Sequence, residues 1–115
     1  MNILILGSGI VGANLAKKLS EQGKNVFLLD DDINELKNLA ERFDIKTLYD
    51  DPLNPSFYKN FESKIDCFIA VTRSDEKNII TSKFAKEFLN VDKSIARVRN
   101  QNLILDENKS LLIES

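Results

Sequence analysis

Three of the chain's four glycines, Gly7, Gly9 and Gly12, lie within six residues of one another. Their spacing is G-x-G-x-x-G, a pattern that can hold a pyrophosphate against main-chain N–H groups. The first glycine permits a tight turn, the second lets the backbone approach the phosphates, and the third lets a helix pack closely on a strand. The loop carries no lysine, which distinguishes it from the phosphate loop of nucleoside triphosphatases. The alternative, a turn with no ligand, would not need all three glycines.

An acidic residue, Asp30, follows the apolar run at 26–29 and lies 23 residues after Gly7. In dinucleotide-binding proteins an acid about 20 residues beyond the loop accepts hydrogen bonds from ribose hydroxyls. A carboxylate there repels a 2′-phosphate, so the pattern favours NAD over NADP. The alternative is that Asp30 only begins a turn. Asp31 is kept as a further candidate contact, although we favour capping of the next helix for both Asp31 and Asp32.

The order of the predicted elements explains how these residues could meet. Continuous apolar runs are typical of strands covered on both faces of a parallel sheet, and the segments between them have helical periodicity. Strands that alternate with helices predict parallel pairing with right-handed crossovers. We therefore expect one α/β domain over residues 1–115, a Rossmann-like doubly wound parallel sheet with helices on both faces. The predicted strands are 3–6, 26–29, 45–48, 67–71 and 95–98.

Apolar stripes and capping residues predict the helices. Asp32, Asn54 and Ser74 are placed to cap helix N-termini, and Gly23 is placed to end the first helix. Beyond residue 100 the signals are weak, with a short helix at 103–105 and a short strand at 111–113 as the candidates. The predicted stripes are Val11, Leu15 and Leu19; Ile33, Leu36, Leu39, Ala40 and Phe43; and Ile80, Phe84 and Phe88.

Composition excludes several classes of protein. With 115 residues, 43% apolar and 30% charged, the chain is one ordinary globular domain. A net charge of −2 argues against a nucleic-acid partner, which would favour a basic excess. No run approaches the roughly 18 apolar residues of a membrane span, and the first residues do not resemble a signal peptide. We expect no direct membrane insertion and a cytoplasmic location.

The sequence offers no evident catalytic group. It contains no histidine, which removes histidine general bases and the usual zinc sites, and no metal site is predicted. Neither Tyr49 nor Tyr58 has a lysine four residues later, as short-chain dehydrogenases require. A binding domain that senses its ligand is the favoured hypothesis. Two alternatives stay open: the cofactor-binding half of an NAD-dependent oxidoreductase, and a scaffold that only dimerises and binds a membrane protein.

Four parts of the sequence together carry a family resemblance: the run Ile3–Gly12, the acid Asp30, the run Ala70–Asn78 (AVTRSDEKN) and the run Ile95–Arg99 (IARVR). They resemble the TrkA-N family, also called KTN or RCK N-terminal domains, of potassium uptake regulators. The resemblance covers residues 1 to about 100. The second and third runs are more specific than the glycine motif. Family members often have a glycine after the third strand, which the stretch 49–54 lacks.

The resemblance implies a non-enzymatic domain that binds NAD(H), or else ATP, ADP or AMP. It further implies a homo-oligomer, a dimer or larger, on the inner face of the membrane. There it would gate a potassium-translocating subunit of the Trk or Ktr type, and this chain would be a fragment of a longer protein. The implied contacts are the loop Gly7, Ser8, Gly9, Ile10, Val11 and Gly12 to phosphates; Asp30 to ribose; Asp51 and Pro52 to adenine; Thr72 and Arg73 to the ligand; and Arg97 to phosphates.

Overall fold

A computed structural model describes residues 1–100, 102 and 111–113 of the chain. Strands and helices alternate within it, as the sequence predicts. The strands are β1 (Asn2–Leu6), β2 (Asn25–Asp30), β3 (Lys46–Tyr49), β4 (Cys67–Ala70), β5 (Lys93–Val98) and β6 (Leu111–Ile113). The helices are α1 (Ile10–Glu21), α2 (Ile33–Arg42), α3 (Pro55–Lys59) and α4 (Asp75–Phe84), and α4 continues directly into a π-helical turn (Ala85–Leu89).

The six strands form one sheet in the order β3-β2-β1-β4-β5-β6, and each neighbouring pair is parallel. The chain builds outward from β1 to β3 and then returns to place β4 on the other side of β1. This is the Rossmann strand order, with a switch point between β1 and β4 where ligands bind beyond the carboxyl ends of the strands. The predicted fold class is confirmed, and the weak signal at 111–113 is a strand; the predicted helix at 103–105 lies outside the described residues.

The sheet separates two apolar layers because alternate residues of each strand face opposite sides. On one side Leu4 and Leu6 pack with Tyr58 of α3 and with the π-helical turn. On the other side Ile3 and Ile5 pack with residues of α1 and α2. Both faces of the central strands are therefore buried, which accounts for their continuous apolar sequence.

The predicted apolar stripes were partly wrong. α1 buries Gly12 and Ala16, which are small enough to let the helix lie close to the sheet. α4 buries the polar residues Asn78, Thr81 and Ser82, whose side chains all make hydrogen bonds. Side-chain size and hydrogen bonding, and not hydrophobicity alone, therefore determine which side of α1 and of α4 faces the sheet. The stripe residues found exposed are Val11, Ile33, Ala40 and Ile80.

The predicted helix boundaries are confirmed by their caps. The capping side chains accept hydrogen bonds from main-chain N–H groups of the first turn, which have no partner inside the helix. Gly23 follows the end of α1 with φ +82°, a left-handed conformation that favours glycine. The three caps are Asp32 to the Glu35 N–H, Asn54 to the Ser56 N–H and Ser74 to the Lys77 N–H.

Among the described helices, none combines the length and the apolar character that crossing a membrane requires.

We predict that Gly12→Ala destabilises the fold by about 3 kcal/mol or more. The new Cβ would overlap the Gly7 carbonyl oxygen and lie 2.8 Å from its carbon, so α1 would have to move off β1. Urea unfolding followed by circular dichroism measures the loss. Gly9→Ala is the matched control on the same loop, because its Cβ would meet no protein atom within 4 Å. Equal stability of the two variants would contradict the close-packing role of Gly12.

Candidate functional site

A cavity of about 950 Å³ lies at the carboxyl ends of the strands, at the switch point of the sheet. The glycine loop, the end of β2, the loop after β4 and the end of β5 together form its walls. Most of the residues singled out in the sequence meet here. They are Gly7, Ser8, Gly9, Ile10, Val11, Asp30, Asp31, Thr72, Arg73 and Arg97. Gly12, Asp51 and Pro52 are not among the lining residues.

Gly7 and Gly12 serve the protein's own packing. Gly7 has φ +114°, and a Cβ there would come within 3.2 Å of the Thr72 nitrogen and the Val71 carbonyl. A Cβ at Gly12 would overlap the Gly7 carbonyl oxygen. These two glycines bring α1 and the loop after β4 close to β1. Their role in forming the turn needs no ligand.

Gly9 differs from the other two glycines. Its φ is −70°, which any residue adopts, and a Cβ there would meet nothing within 4 Å. Neither backbone strain nor packing within the protein demands glycine at this position. Gly9 is one of the residues that line the cavity, and no protein atom fills the space next to it. This open cradle fits a group such as a pyrophosphate that must approach the main chain closely.

The N-terminus of α1 is arranged differently from the other described helix starts. Gly9 is its N-cap and offers no side chain to the first-turn N–H groups, and the first turn contains no acidic residue. In contrast, α2, α3 and α4 are all capped by side chains. Uncapped N–H groups at the positive end of a helix attract anions. α1 therefore presents an anion-binding end to the cavity.

Asp30 joins the end of β2 to the glycine loop. Its Oδ2 accepts hydrogen bonds from both the Ser8 N–H and the Ser8 hydroxyl, each at 2.7 Å. Its Oδ1 accepts from the N–H groups of Asp31 at 2.7 Å and Asp32 at 3.0 Å. The carboxylate thus contacts the glycine loop. It also stabilises the turn before α2, which is the role that the alternative interpretation gave to Asp30.

Ionisation of Asp30 is favoured despite its partial burial. Burial opposes the charge and alone would raise the pKa. The hydrogen bonds from the Ser8 side chain, the Ser8 main chain and the Asp32 main chain outweigh burial, so the pKa lies below its ordinary value. Asp30 is therefore a carboxylate at neutral pH and can accept hydrogen bonds from hydroxyl groups.

Asn78, to which sequence reasoning assigned no role, holds the opposite wall of the cavity together. It is fully buried, and its Oδ1 accepts from the Thr72 N–H at 2.9 Å and the Thr72 hydroxyl at 2.7 Å. Its Nδ2 donates to the Thr72 carbonyl at 3.0 Å and the Arg97 carbonyl at 2.9 Å. All four hydrogen-bonding positions of the amide are used. Asn78 does not lie on the predicted stripe of Ile80, Phe84 and Phe88, and the sequence singled it out only as the last residue of the run Ala70–Asn78.

A second contact fastens the end of β5 to the start of α4. The Asp75 carboxylate accepts from the Arg99 N–H at 3.0 Å and the Asn100 N–H at 2.8 Å. The Arg99 main-chain hydrogen bond lowers the pKa of Asp75. Burial opposes this shift, while the Asn100 bond and the charges of Arg99 and Arg97 add to it. α4 thus positions the loop that carries Thr72 and Arg73 and the end of β5 that carries Arg97.

Charges of both signs line the cavity. Asp30, Asp31, Asp32 and Glu35 lie on the β2–α2 side together with the cation Arg42, and Lys17 lies on α1. The other cations lie on the β4 and β5 side. The acidic side suits hydroxyl donors and the basic side suits phosphates. The cations of the β4 and β5 side are Arg73, Lys77, Arg97 and Arg99.

Asp51 and Pro52 lie in the turn after β3 and are not among the residues that line the cavity. The Asp51 carboxylate accepts from the Leu53 N–H at 3.0 Å, and the Pro52 carbonyl accepts from the Tyr58 hydroxyl at 2.7 Å. Burial raises the pKa of Tyr58, and the negative charges of Asp51 and Asp50 raise it further. The contact of Asp51 and Pro52 with adenine stays a prediction.

No cluster of three or more histidine, cysteine, aspartate or glutamate residues that could hold a metal ion occurs in the described part of the chain. The one cysteine, Cys67, is buried in β4, and burial raises the pKa of its thiol. This agrees with a core role for Cys67 rather than a reactive one.

The strand order, the cavity at the switch point and the glycine loop together define a Rossmann-type domain. A family model described as the TrkA-N domain matches residues 3–109, and the chain belongs to that family. The "Trk system potassium uptake protein TrkA" of Haemophilus influenzae is 31% identical over 95% of the chain, and that of Halomonas elongata is 35% identical over 86%. The chain spans 24% and 22% of those relatives, about a quarter of their length.

Solved structures with the same fold include a channel and a short-chain dehydrogenase/reductase. The NAD(P)-binding domain of an exopolyphosphatase-related protein from Archaeoglobus fulgidus superposes with a TM-score of 0.84 at 20% identity, over 96% of this chain and 86% of that one. The NAD-bound GsuK channel superposes with a TM-score of 0.75 at 20% identity, over 88% and 18%. A short-chain dehydrogenase/reductase from Vibrio parahaemolyticus reaches 0.70 at 15% identity, over 94% and 68%. At these identities the likeness shows the fold alone.

We predict that Asn78→Asp destabilises the chain by about 3 kcal/mol, because a carboxylate oxygen would then face the carbonyls of Thr72 and Arg97. Chemical denaturation at pH 7 measures the change. Asn38→Asp, on the exposed face of α2, is the matched control and should change stability by less than about 0.5 kcal/mol. If both variants were equally stable, Asn78 would not hold the wall of the cavity.

Asp30→Asn should lower the free energy of unfolding by about 1–3 kcal/mol at neutral pH. The folded pKa of Asp30 is depressed, so the carboxylate stabilises the fold above its unfolded pKa, near 3.9. That stabilisation is lost as the pH falls through the lower folded value. Unfolding curves between pH 7 and pH 2 should therefore converge for the two proteins at the acidic end. Asp44→Asn, at an exposed position, serves as the control. A constant difference across the range would contradict this assignment.

Proposed function

We propose that this chain is an NAD(H)-binding regulatory domain that controls a membrane potassium-translocating subunit. The observation that carries the proposal is the open cradle at Gly9, beside an uncapped helix N-terminus and facing the Asp30 carboxylate. An anion cradle and a hydroxyl acceptor on neighbouring strands suit the two halves of a nucleotide, its diphosphate and its ribose.

The proposed roles of the residues follow from their positions. The main-chain N–H groups of the glycine loop bind the pyrophosphate, and Asp30 accepts hydrogen bonds from a ribose. Arg73 and Arg97, which line the basic side of the cavity, add positive charge near the phosphates, and Thr72 borders the ligand between them. Asp31 lies beside the ribose position. Asp51 and Pro52 are the proposed adenine neighbours from the turn after β3.

The choice of NAD(H) rests on the acid and on the relatives. Asp30 is charged at neutral pH, which repels the 2′-phosphate of NADP. A channel with the same fold is described with NAD bound, and TrkA proteins of the Trk potassium uptake system match this chain over most of its length. ATP, ADP and AMP offer the same ribose and phosphate groups and are the alternative ligands.

The role we propose is regulatory rather than enzymatic. The chain has no histidine, and neither tyrosine is followed at the fourth position by lysine. The oxidoreductase alternative draws on neighbours that include dehydrogenases, but those share the fold alone. This chain spans only about a quarter of the length of its first relatives. The proposal therefore also includes the membrane partner subunit, assembly as a homo-oligomer and a cytoplasmic position at the inner face of the membrane.

Regulation requires that the ligand bind two conformations with different affinities. The cavity joins two walls that belong to different helices, α1 through the glycine loop and α4 through Asn78 and Asp75. A ligand that bridges these walls favours the conformation in which they lie close. In an assembly with a membrane subunit, that preference would change the population of conducting states.

We expect NAD or NADH to bind the purified chain in isothermal titration calorimetry, and Gly9→Ala to weaken binding at least tenfold. The added methyl would occupy the cradle that the pyrophosphate needs, while costing the fold only about 1 kcal/mol through poorer capping. Gly23→Ala is the matched control. It also removes a glycine from an open position, with strain at φ +82°, but lies at the other end of α1.

Failure of the wild-type chain to bind any of NAD, NADH, ATP or ADP below millimolar concentration would overturn nucleotide sensing. Equal binding by Gly9→Ala and Gly23→Ala would place the ligand elsewhere. For regulation, the same two variants in the full-length protein are compared in rubidium uptake by cells. Uptake that responds to Gly9→Ala as little as to Gly23→Ala would favour the scaffold alternative.

A further inference from the structure

The Asp30 carboxylate has no acceptor position left over in this structure. A carboxylate offers about four lone-pair positions. Here Oδ2 takes two hydrogen bonds from Ser8 and Oδ1 takes one each from Asp31 and Asp32. A ribose hydroxyl that donates to Asp30 must therefore displace one of the four donors.

Only one of the four donors can leave without moving the backbone. Three are main-chain N–H groups, held by the glycine loop and by the turn that begins α2. The fourth is the Ser8 hydroxyl, which can turn away by rotation about a single side-chain bond. Its oxygen lies 2.7 Å from Oδ2, a short bond to a charged acceptor.

We propose that the Ser8 hydroxyl occupies the position on Asp30 that a ribose hydroxyl takes, and so acts as an internal competitor that sets nucleotide affinity. The inference rests on the proposed function, since it assumes that Asp30 binds the ribose. Ser8 contributes twice to Asp30: its N–H orients the carboxylate towards the loop, and its hydroxyl holds the ribose position until a ligand arrives.

This arrangement has a consequence for specificity. A ligand can replace the Ser8 hydroxyl only if it carries a hydroxyl group that donates a hydrogen bond to Asp30. Ligands without ribose hydroxyls leave the Ser8–Asp30 bond in place and gain nothing from Asp30. The competitor therefore lowers affinity for nucleotides while keeping Asp30 satisfied in the ligand-free protein, where an unpaired and partly buried carboxylate would be costly.

The test is Ser8→Ala, which removes the hydroxyl and keeps the N–H bond to Asp30. We expect NAD to bind about three- to tenfold more tightly, as calorimetry measures it, because one hydrogen bond no longer has to be exchanged. The thermal midpoint of the ligand-free variant should fall. Lower stability with higher affinity is the decisive combination, since a merely supporting role for Ser8 would lower both.

Two controls sharpen the result. Ser20→Ala removes a hydroxyl that donates to the Lys17 carbonyl at the far end of α1 and should leave affinity unchanged. ADP and 2′,3′-dideoxy-ADP are then titrated into the wild type and Ser8→Ala. The variant should bind ADP more tightly but dideoxy-ADP no better than the wild type does.

The outcomes separate the two proposals. Absence of NAD binding by the wild type would overturn the proposed function itself. Binding by the wild type with unchanged or weaker binding by Ser8→Ala would overturn only the competitor role. An equal gain for ADP and dideoxy-ADP would also contradict it, because the gain would then not come from the ribose hydroxyls.

Discussion

The close approach of α1 to β1 is the constraint on which the rest of the structure depends. Gly12 lies against the Gly7 carbonyl with no room for a side chain, and Gly7 in turn lies against the chain after β4. These contacts direct the N-terminus of α1 towards the switch point between β1 and β4. Steric fit therefore sets the direction of the anion-binding end of the helix. Neither packing nor backbone conformation requires glycine at position 9, so Gly9 leaves the main-chain N–H groups uncovered.

The other wall of the cavity is built on a different principle. α4 contacts the sheet through buried polar side chains, and Asn78 joins two strand ends by hydrogen bonds whose partners are all main-chain groups or Thr72. A buried amide with every position satisfied specifies geometry as strictly as apolar packing does, since each misplaced partner would leave an unpaired polar group. This explains how a helix with few apolar contacts can position the basic residues of the cavity.

Sequence reasoning predicted the strands, the caps and the sheet well because these depend on local patterns. The apolar runs of β1, β2 and β4 and the capping residues Asp32, Asn54 and Ser74 carry their own signals. It failed for Val11 and Ile80, which are exposed because smaller or polar neighbours take the sheet-facing side. Nor could it reveal that Ser8 donates two hydrogen bonds to Asp30, because that contact depends on how two distant segments meet in three dimensions.

The two walls also differ in how readily they can respond to a ligand. The α1 wall rests on backbone contacts that leave almost no free space, so it can only move as a unit with β1. The α4 wall is also tied to the end of β5 by the Asp75 carboxylate, whose hydrogen bonds to the Arg99 and Asn100 N–H groups are exposed and can be replaced by water at a smaller cost. A ligand that is held rigidly at the α1 wall would therefore shift the position of the α4 wall. Under the proposed function, α4 and the ends of β4 and β5 are the elements through which nucleotide binding would reach a partner subunit.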